Sequence, residues 1–190
     1  VGVGVGAMVA GFSALLWACL PPSALTPLVV AVLGTVLSVM VTGGFHEDGL
    51  ADVADGLGGS SDRDRALVIM KDSRVGAFGV LAVVLALLAK VALLALIGSV
   101  SLRWMLLGIF AAHVVSRTWP LLLIRLMPHV GDVAGSKSKP LADQISTGSL
   151  FTAGIWCFVA IAPVIIGFSA MDIGAFQGSN AAALLPLGSA

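Results

Sequence analysis

Five apolar runs, each of about the length that crosses a bilayer, alternate with short polar links: Val3–Leu20, Leu28–Phe45, Val75–Ile97, Trp104–Met127 and Leu150–Ala170. After MDIGAFQGSN, a further apolar run begins at residue 181 and is cut short. The fold class that follows is all-α: a polytopic helical membrane protein of about six spans, forming one integral membrane domain over residues 1–190. Pro21 and Pro22 close the first run because proline cannot continue a helix. In the second run Gly34, Thr35, Ser38, Thr42, Gly43 and Gly44 are small residues that let helices approach closely. Composition agrees, with 58% hydrophobic and 11% charged residues against about a quarter charged in soluble domains. The net charge of zero gives no case for nucleic acid as a partner. Cys19 and Cys157 sit in separate apolar runs with no CxxC or Cys/His spacing, which argues against zinc sites and disulfide frameworks. The chain opens VGVGVGAMVAG with neither methionine nor a basic leader, so the expectation is truncation at both ends.

Between the second and third runs lies the stretch around which the rest is organised, Gly43–Gly79. It holds six of the ten acidic residues between Glu47 and Asp64, then Asp72, and it carries Arg63, Arg65, Lys71 and Arg74. At about 100° per residue, a helix over Phe45–Gly56 places Asp48, Asp52 and Asp55 within an arc of roughly 60°. Three carboxylates on one face at a membrane boundary repel one another and call for a cation, a divalent metal above all. Glu47 stands about 100° from Asp48 and joins the candidate ligands on the next face. No turn signal separates the second run from these acids, so they belong to its last turns or to a helix bent at Gly43–Gly44. GLGGSS at Gly56–Ser61 breaks the helix, and Ser60, Ser61 or Asp62 caps a new one. Continued far enough, that helix nearly eclipses Arg63 and Arg74, with Lys71 about 80° away, giving a basic edge. Asp62, Asp64 and Arg65 suit capping and local ion pairs.

Three ionisable groups fall inside apolar runs: Lys90, His113 and Arg117. Such groups usually face a cavity or a partner, which puts His113 and Arg117 on a cleft; Arg117 suits either a phosphate or a carboxylate of the central stretch. Lys90 reads as a cation that faces the bundle or snorkels. Lys137 and Lys139 lie in a Gly- and Ser-rich loop suited to phosphate but without a P-loop pattern. Arg63, Arg65, Lys71, Arg74, Arg125, Lys137 and Lys139 follow the second and fourth runs, whereas Arg103 stands alone on the other side. The positive-inside rule then places the acidic stretch and its cleft at the cytoplasmic face of the cell's inner membrane.

Aspartates at these spacings followed by arginines and lysines suit chemistry on a diphosphate. Carboxylates hold Mg²⁺ against phosphate oxygens, and cations neutralise charge on the leaving group. Asp48, Asp52, Asp55 and Glu47 are the candidate metal ligands, and Arg63, Lys71, Arg74, Arg117, Lys137 and Lys139 the candidate phosphate contacts. Asp72, followed by Asp55, is the candidate for orienting or deprotonating an attacking hydroxyl. A cation-coupled transporter also uses intramembrane acids, but it scatters them along the spans and leaves the clustered cations unexplained.

GGFHEDGLADVADG, followed by R-x-R-x-L-x-I-M-K-D-S-R-x-G-x-x-G from Arg63 to Gly79, resembles the cobalamin synthase family, the adenosylcobinamide-GDP ribazoletransferases. The likeness is densest from Thr42 to Gly79, and Ser116-Arg117 extends it. It implies an integral membrane enzyme that requires Mg²⁺. It also implies transfer of the adenosylcobinamide phosphate group from adenosylcobinamide-GDP to α-ribazole or its 5′-phosphate, with release of GMP. Two family features are missing from the sequence: polar residues before the first span and a Gly-Thr-Gly-Asp-rich segment near the C-terminus. The chemistry is also similar to that of CDP-alcohol phosphotransferases, whose opening Asp52-x-x-Asp55-Gly56 matches. Gly59-Ser60 stands where their Ala-Arg belongs, and the later Gly-x3-Asp-x3-Asp is lacking, so a phospholipid synthase is the second reading. Gly2, Gly6 and the Val75–Gly79 segment permit helix contacts within one chain or between copies in a homo-oligomer.

Overall fold

The computed structural model describes residues 2–127 and 146–170, and every regular element among them is a helix. In chain order these are α1 (Gly2–Cys19), α2 (Thr26–Thr42), α3 (Phe45–Gly59), α4 (Arg63–Ile69), α5 (Ala77–Val100), α6 (Leu102–Leu126) and α7 (Thr147–Ala170). Among the described residues α1, α5 and α6 are each long and apolar enough to cross a membrane, and α2 with α3 qualifies as a bent pair. The start of a sixth span at residue 181, and Lys137 and Lys139, lie outside the described residues.

Local chemistry sets the breaks. Leu20 closes α1 by donating its backbone N–H to the Leu16 carbonyl, and Thr26 Oγ1 donates to the Pro21 carbonyl at 2.7 Å, tying the proline link to the head of α2. At the far end of α2, Gly43 and Gly44 both take left-handed φ values, 65° and 69°. Their amides return to Met40 and Val39, at 3.1 and 2.9 Å, the paired bonds of a Schellman stop. A side chain in that region costs about 1–2 kcal/mol per residue, which explains glycine at both positions. The chain leaves at once into α3, at 87° to α2. The bend expected at Gly43–Gly44 is therefore present, and it turns the acidic helix across the end of the bundle.

Asp62 caps α4, its Oδ1 accepting from the Arg65 amide at 2.9 Å. The helix stops at Ile69, sooner than a basic edge reaching Arg74 requires. Lys71 and Asp72 turn back onto Val68 and Ile69 through their amides, and Asp72 Oδ1 then accepts from the Arg74 amide at 3.1 Å. An Asp side chain that satisfies the backbone two residues on competes with helix continuation. Arg74 consequently lies in the turn before α5, off α4 and out of line with Arg63.

Helices α5 and α6 form a hairpin joined at Ser101, with α1 packed on α6, and α2 and α3 packed on α5. Val9, Val30, Ala31, Met105 and Ile109 make a small buried core, ringed by side chains such as Trp17, Leu94 and Ala95. Large apolar side chains point outward instead: on α5, Leu81, Leu85, Leu88, Leu93 and Leu96 are all exposed. In water that would be costly, whereas in lipid these side chains meet their own kind and close packing is left to small residues. Gly2 and Gly6 meet His113, Phe110 and Val114 of α6, and Gly79 meets Ala51 and Asp55 of α3. Both glycine segments thus serve helix contacts within the chain.

Candidate functional site

Helix α3 presents its acids to three different surroundings. Asp48 is exposed, Asp52 half-buried, and Asp55 is only 8% exposed. Oδ2 of Asp55 accepts the Gly76 amide at 2.7 Å and Oδ1 accepts the Gly79 amide at 2.8 Å. Gly76 caps α5 and Gly79 lies in its first turn, where the helix has no partners of its own for these amides and its dipole favours an anion. Gly76 and Gly79 permit this approach, since a Cβ on either would collide with the Asp55 carboxylate, and on Gly79 also with the Ala51 carbonyl at 2.9 Å. Asp55 thereby locks the acidic helix to α5.

Asp72 and Arg74 form a bidentate pair in the turn that leads into α5. Arg74 Nη2 reaches Oδ2 at 2.6 Å, and Nε stands 3.1 Å from Oδ1. The Arg74 guanidinium and amide hold the Asp72 carboxyl at about 2, below its ordinary 3.8. Arg74 is exposed, as are Arg63 and Lys71, so the cations face outward beside the acidic helix.

Behind α3, between α1, α2, α5 and α6, lies a cleft of about 310 Å³. Thr35, Ser38 and Thr42 line it from α2, His46 and Glu47 from α3, Lys90 from α5, and His113, Ser116 and Arg117 from α6. Arg117 Nη1 donates to Nδ1 of His113 at 3.0 Å and to the His113 carbonyl at 3.0 Å. Nδ1 must therefore accept, which puts the imidazole proton on Nε2, 3.3 Å from Ser38 Oγ. His113 and Arg117 do face the cleft, and Arg117 is bonded to His113 and to Ser116 Oγ. Two buried polar atoms in this lining lack a protein partner: the Thr35 hydroxyl oxygen Oγ1 and the Glu47 carboxylate oxygen Oε2.

For a divalent metal the donor chemistry fits, because Asp48 and Asp52 supply hard oxygen ligands one turn apart on one face of α3. Among the described residues no three His, Cys, Asp or Glu side chains stand close enough to share an ion. That spacing is compatible with Mg²⁺, which is usually held by one or two carboxylates, with waters and substrate phosphates completing its shell.

The sequence of α3 and the turns after it carry the resemblance noted above, and direct comparison extends it. A family model for cobalamin-5-phosphate synthase matches residues 1–188. The chain belongs to that family. Adenosylcobinamide-GDP ribazoletransferase of Albidiferax ferrireducens is 65% identical over 190 residues, covering 100% of this chain and 68% of that protein. The proteins of the same name from Polaromonas sp. strain JS666 and Polaromonas naphthalenivorans are 55% and 54% identical, covering 99% and 98% of this chain and 71% and 72% of their own. No solved structure gives a significant match. As a member of the cobalamin-5-phosphate synthase family, the chain is a membrane transferase of cobalamin synthesis.

The cleft expected from His113 and Arg117 is present, and its α2 wall is the part that the sequence left undrawn. Thr35, Ser38 and Thr42 recur every three to four residues on α2, a polar stripe along an otherwise apolar helix. Read one by one they are small packing residues; read with Lys90, His113 and Arg117 they are the wall of a polar cavity. His46 and the inward turn of Glu47 complete it.

Proposed function

We propose that the chain transfers the adenosylcobinamide phosphate group from adenosylcobinamide-GDP to a free ribose hydroxyl of α-ribazole or its 5′-phosphate, which gives up its proton as GMP is released. The observation that carries this reading is the acidic helix α3, turned across the bundle end by Gly43–Gly44 and flanked by the Asp72–Arg74 turn. Hard carboxylates and a fixed guanidinium at a membrane boundary are what a diphosphate requires. Asp48 and Asp52 would hold Mg²⁺, which when bound neutralises the diphosphate and makes the nucleotide a better leaving group, while Glu47 turns into the cleft. Asp55 adds to that face through its negative charge while anchoring it to α5.

Arg63, Lys71 and Arg74 bind phosphates of the donor, Arg117 belongs to the cleft wall, and Lys137 and Lys139 stay candidate phosphate contacts on their sequence alone. Asp72 orients Arg74: a carboxylate paired so closely is a weak proton acceptor near neutrality. Transfer through a loose transition state asks more of positioning and charge than of a strong base. The arginines and lysines on the α3–α4 side, against Arg103 at the other end of the α5–α6 hairpin, support a cytoplasmic site in the inner membrane.

Asp52→Asn tests the metal face. GMP formation should fall by at least tenfold, with a higher Mg²⁺ concentration needed for half-maximal rate. Unchanged Mg²⁺ dependence would remove Asp52 from the ligand set.

A further inference from the structure

We propose that the cleft behind α3 is the binding site of the acceptor, and that it takes a small amphipathic anion: a phosphomonoester joined to a compact, largely apolar ring. The inference rests on the transferase reading above and adds to it the place and chemistry of the second substrate.

The cavity is built for one end of each kind. Val9, Leu94 and Ile109 supply an apolar end, while Lys90 and Arg117 bring two cations against the one carboxylate of Glu47. A net positive charge held among apolar helices attracts an anion strongly, because little water is present to screen it. Arg117 is preset, since its bonds to the carbonyl and Nδ1 of His113 fix the guanidinium before any ligand arrives.

Buried polar groups in the same lining remain to be satisfied. Thr35 is 6% exposed and lines the cavity, yet its Oγ1 has no partner, and Glu47 Oε2 is likewise unpaired. An unmade buried hydrogen bond is costly, so such atoms mark a place where a ligand supplies the missing half. A ring nitrogen suits the Thr35 hydroxyl, and a sugar hydroxyl suits the Glu47 carboxylate. The volume of about 310 Å³ lies at the lower end of the roughly 300–1,000 Å³ typical of small-ligand sites, which fits a nucleotide-sized acceptor and leaves a corrinoid outside. His46 and Glu47 line the cleft and Asp48 follows them on the next face of the same helix, so a ligand seated here lies beside the acids that would face the donor.

The test is calorimetric titration of α-ribazole 5′-phosphate, α-ribazole and inorganic phosphate into the full chain in lipid nanodiscs, with no nucleotide donor present. Wild type is compared with Lys90→Met, Lys90→Arg and Thr35→Val. The phosphorylated nucleoside should bind wild type about tenfold more tightly than the free nucleoside, a preference that Lys90→Met abolishes and Lys90→Arg largely restores. Thr35→Val, nearly the same shape, should weaken both nucleoside forms about threefold. Acceptor affinity unchanged in both Lys90→Met and Thr35→Val would overturn the assignment. So would loss of co-purifying phospholipid from Lys90→Met with acceptor binding intact, since the cleft would then hold a lipid headgroup. Binding is read without turnover, so Lys90-dependent acceptor binding in a protein that never releases GMP would remove the transferase reading and leave the cleft assignment standing.

Discussion

Asp55 and Gly79, 24 residues apart, are joined by a 2.8 Å hydrogen bond from the glycine amide to the buried carboxylate. With the companion bond from Gly76, it makes one acidic side chain of α3 the anchor of the first turn of α5. Removal of the carboxylate in Asp55→Ala leaves two amides without partners, and the loss of stability should be about 3 kcal/mol. Asp55→Asn keeps one acceptor oxygen and should lose about half as much. Thermal unfolding in detergent, followed by the helical signal, measures both, and equal melting temperatures for Asp55→Ala and wild type would contradict the anchoring role.

The other partner in that contact gives a sharper contrast. In Gly79→Ala the new methyl collides with the Asp55 carboxylate and with the Ala51 carbonyl at 2.9 Å, and the backbone atom cannot move aside. Helix α5 must then shift away from α3, with a lower melting temperature and at least tenfold less activity. Gly108→Ala is the control, since nothing stands within 4 Å of the added carbon. It should match wild type or gain slightly from helix propensity.

Gly43→Ala and Gly44→Ala address the bend. Each forces a side chain into φ near 65–69°, at a cost of about 1–2 kcal/mol. The strain is relieved when α3 straightens towards the axis of α2, which withdraws Asp48 and Asp52 from the bundle end. Activity should therefore drop more than stability does, and a distance measured between spin labels on α2 and α3 should lengthen.

Asp72 and Arg74 set a pH dependence whose sign is fixed. The Asp72 carboxyl is held at about 2 instead of 3.8, so the pair contributes fully above about pH 4 and opens as pH falls towards 2. Between about pH 5 and pH 9 Asp72 has no ionisation to contribute. Wild type and Asp72→Asn should give rate profiles of the same shape, the variant lower throughout because Arg74 is no longer fixed. An acid limb near neutrality that disappears in Asp72→Asn would instead make the carboxylate a proton acceptor.

What was legible in the sequence was local. Apolar runs gave the helices, paired glycines the bend, and Asp62 the α4 cap, because each depends on neighbours within a few residues. Arg74 was placed on the α4 face because helical spacing takes no account of a side chain such as Asp72 that bonds its own backbone. Asp55 looked equivalent to Asp48 and Asp52 since all three share one helical face; its distinct surroundings come from Gly76 and Gly79, 21 and 24 residues on. The cleft was harder still. Ser38 and His113 are 75 positions apart, and nothing in either run specifies that α2 and α6 bring them together.

Release of GMP is the most direct measurement of the central claim. The full chain in vesicles would be given adenosylcobinamide-GDP and Mg²⁺, with and without α-ribazole, beside a parallel sample given CDP-diacylglycerol. The expected result is GMP formed only when α-ribazole and Mg²⁺ are both present, and no CMP. CMP from the lipid nucleotide, or a folded protein that turns over neither donor, would contradict it.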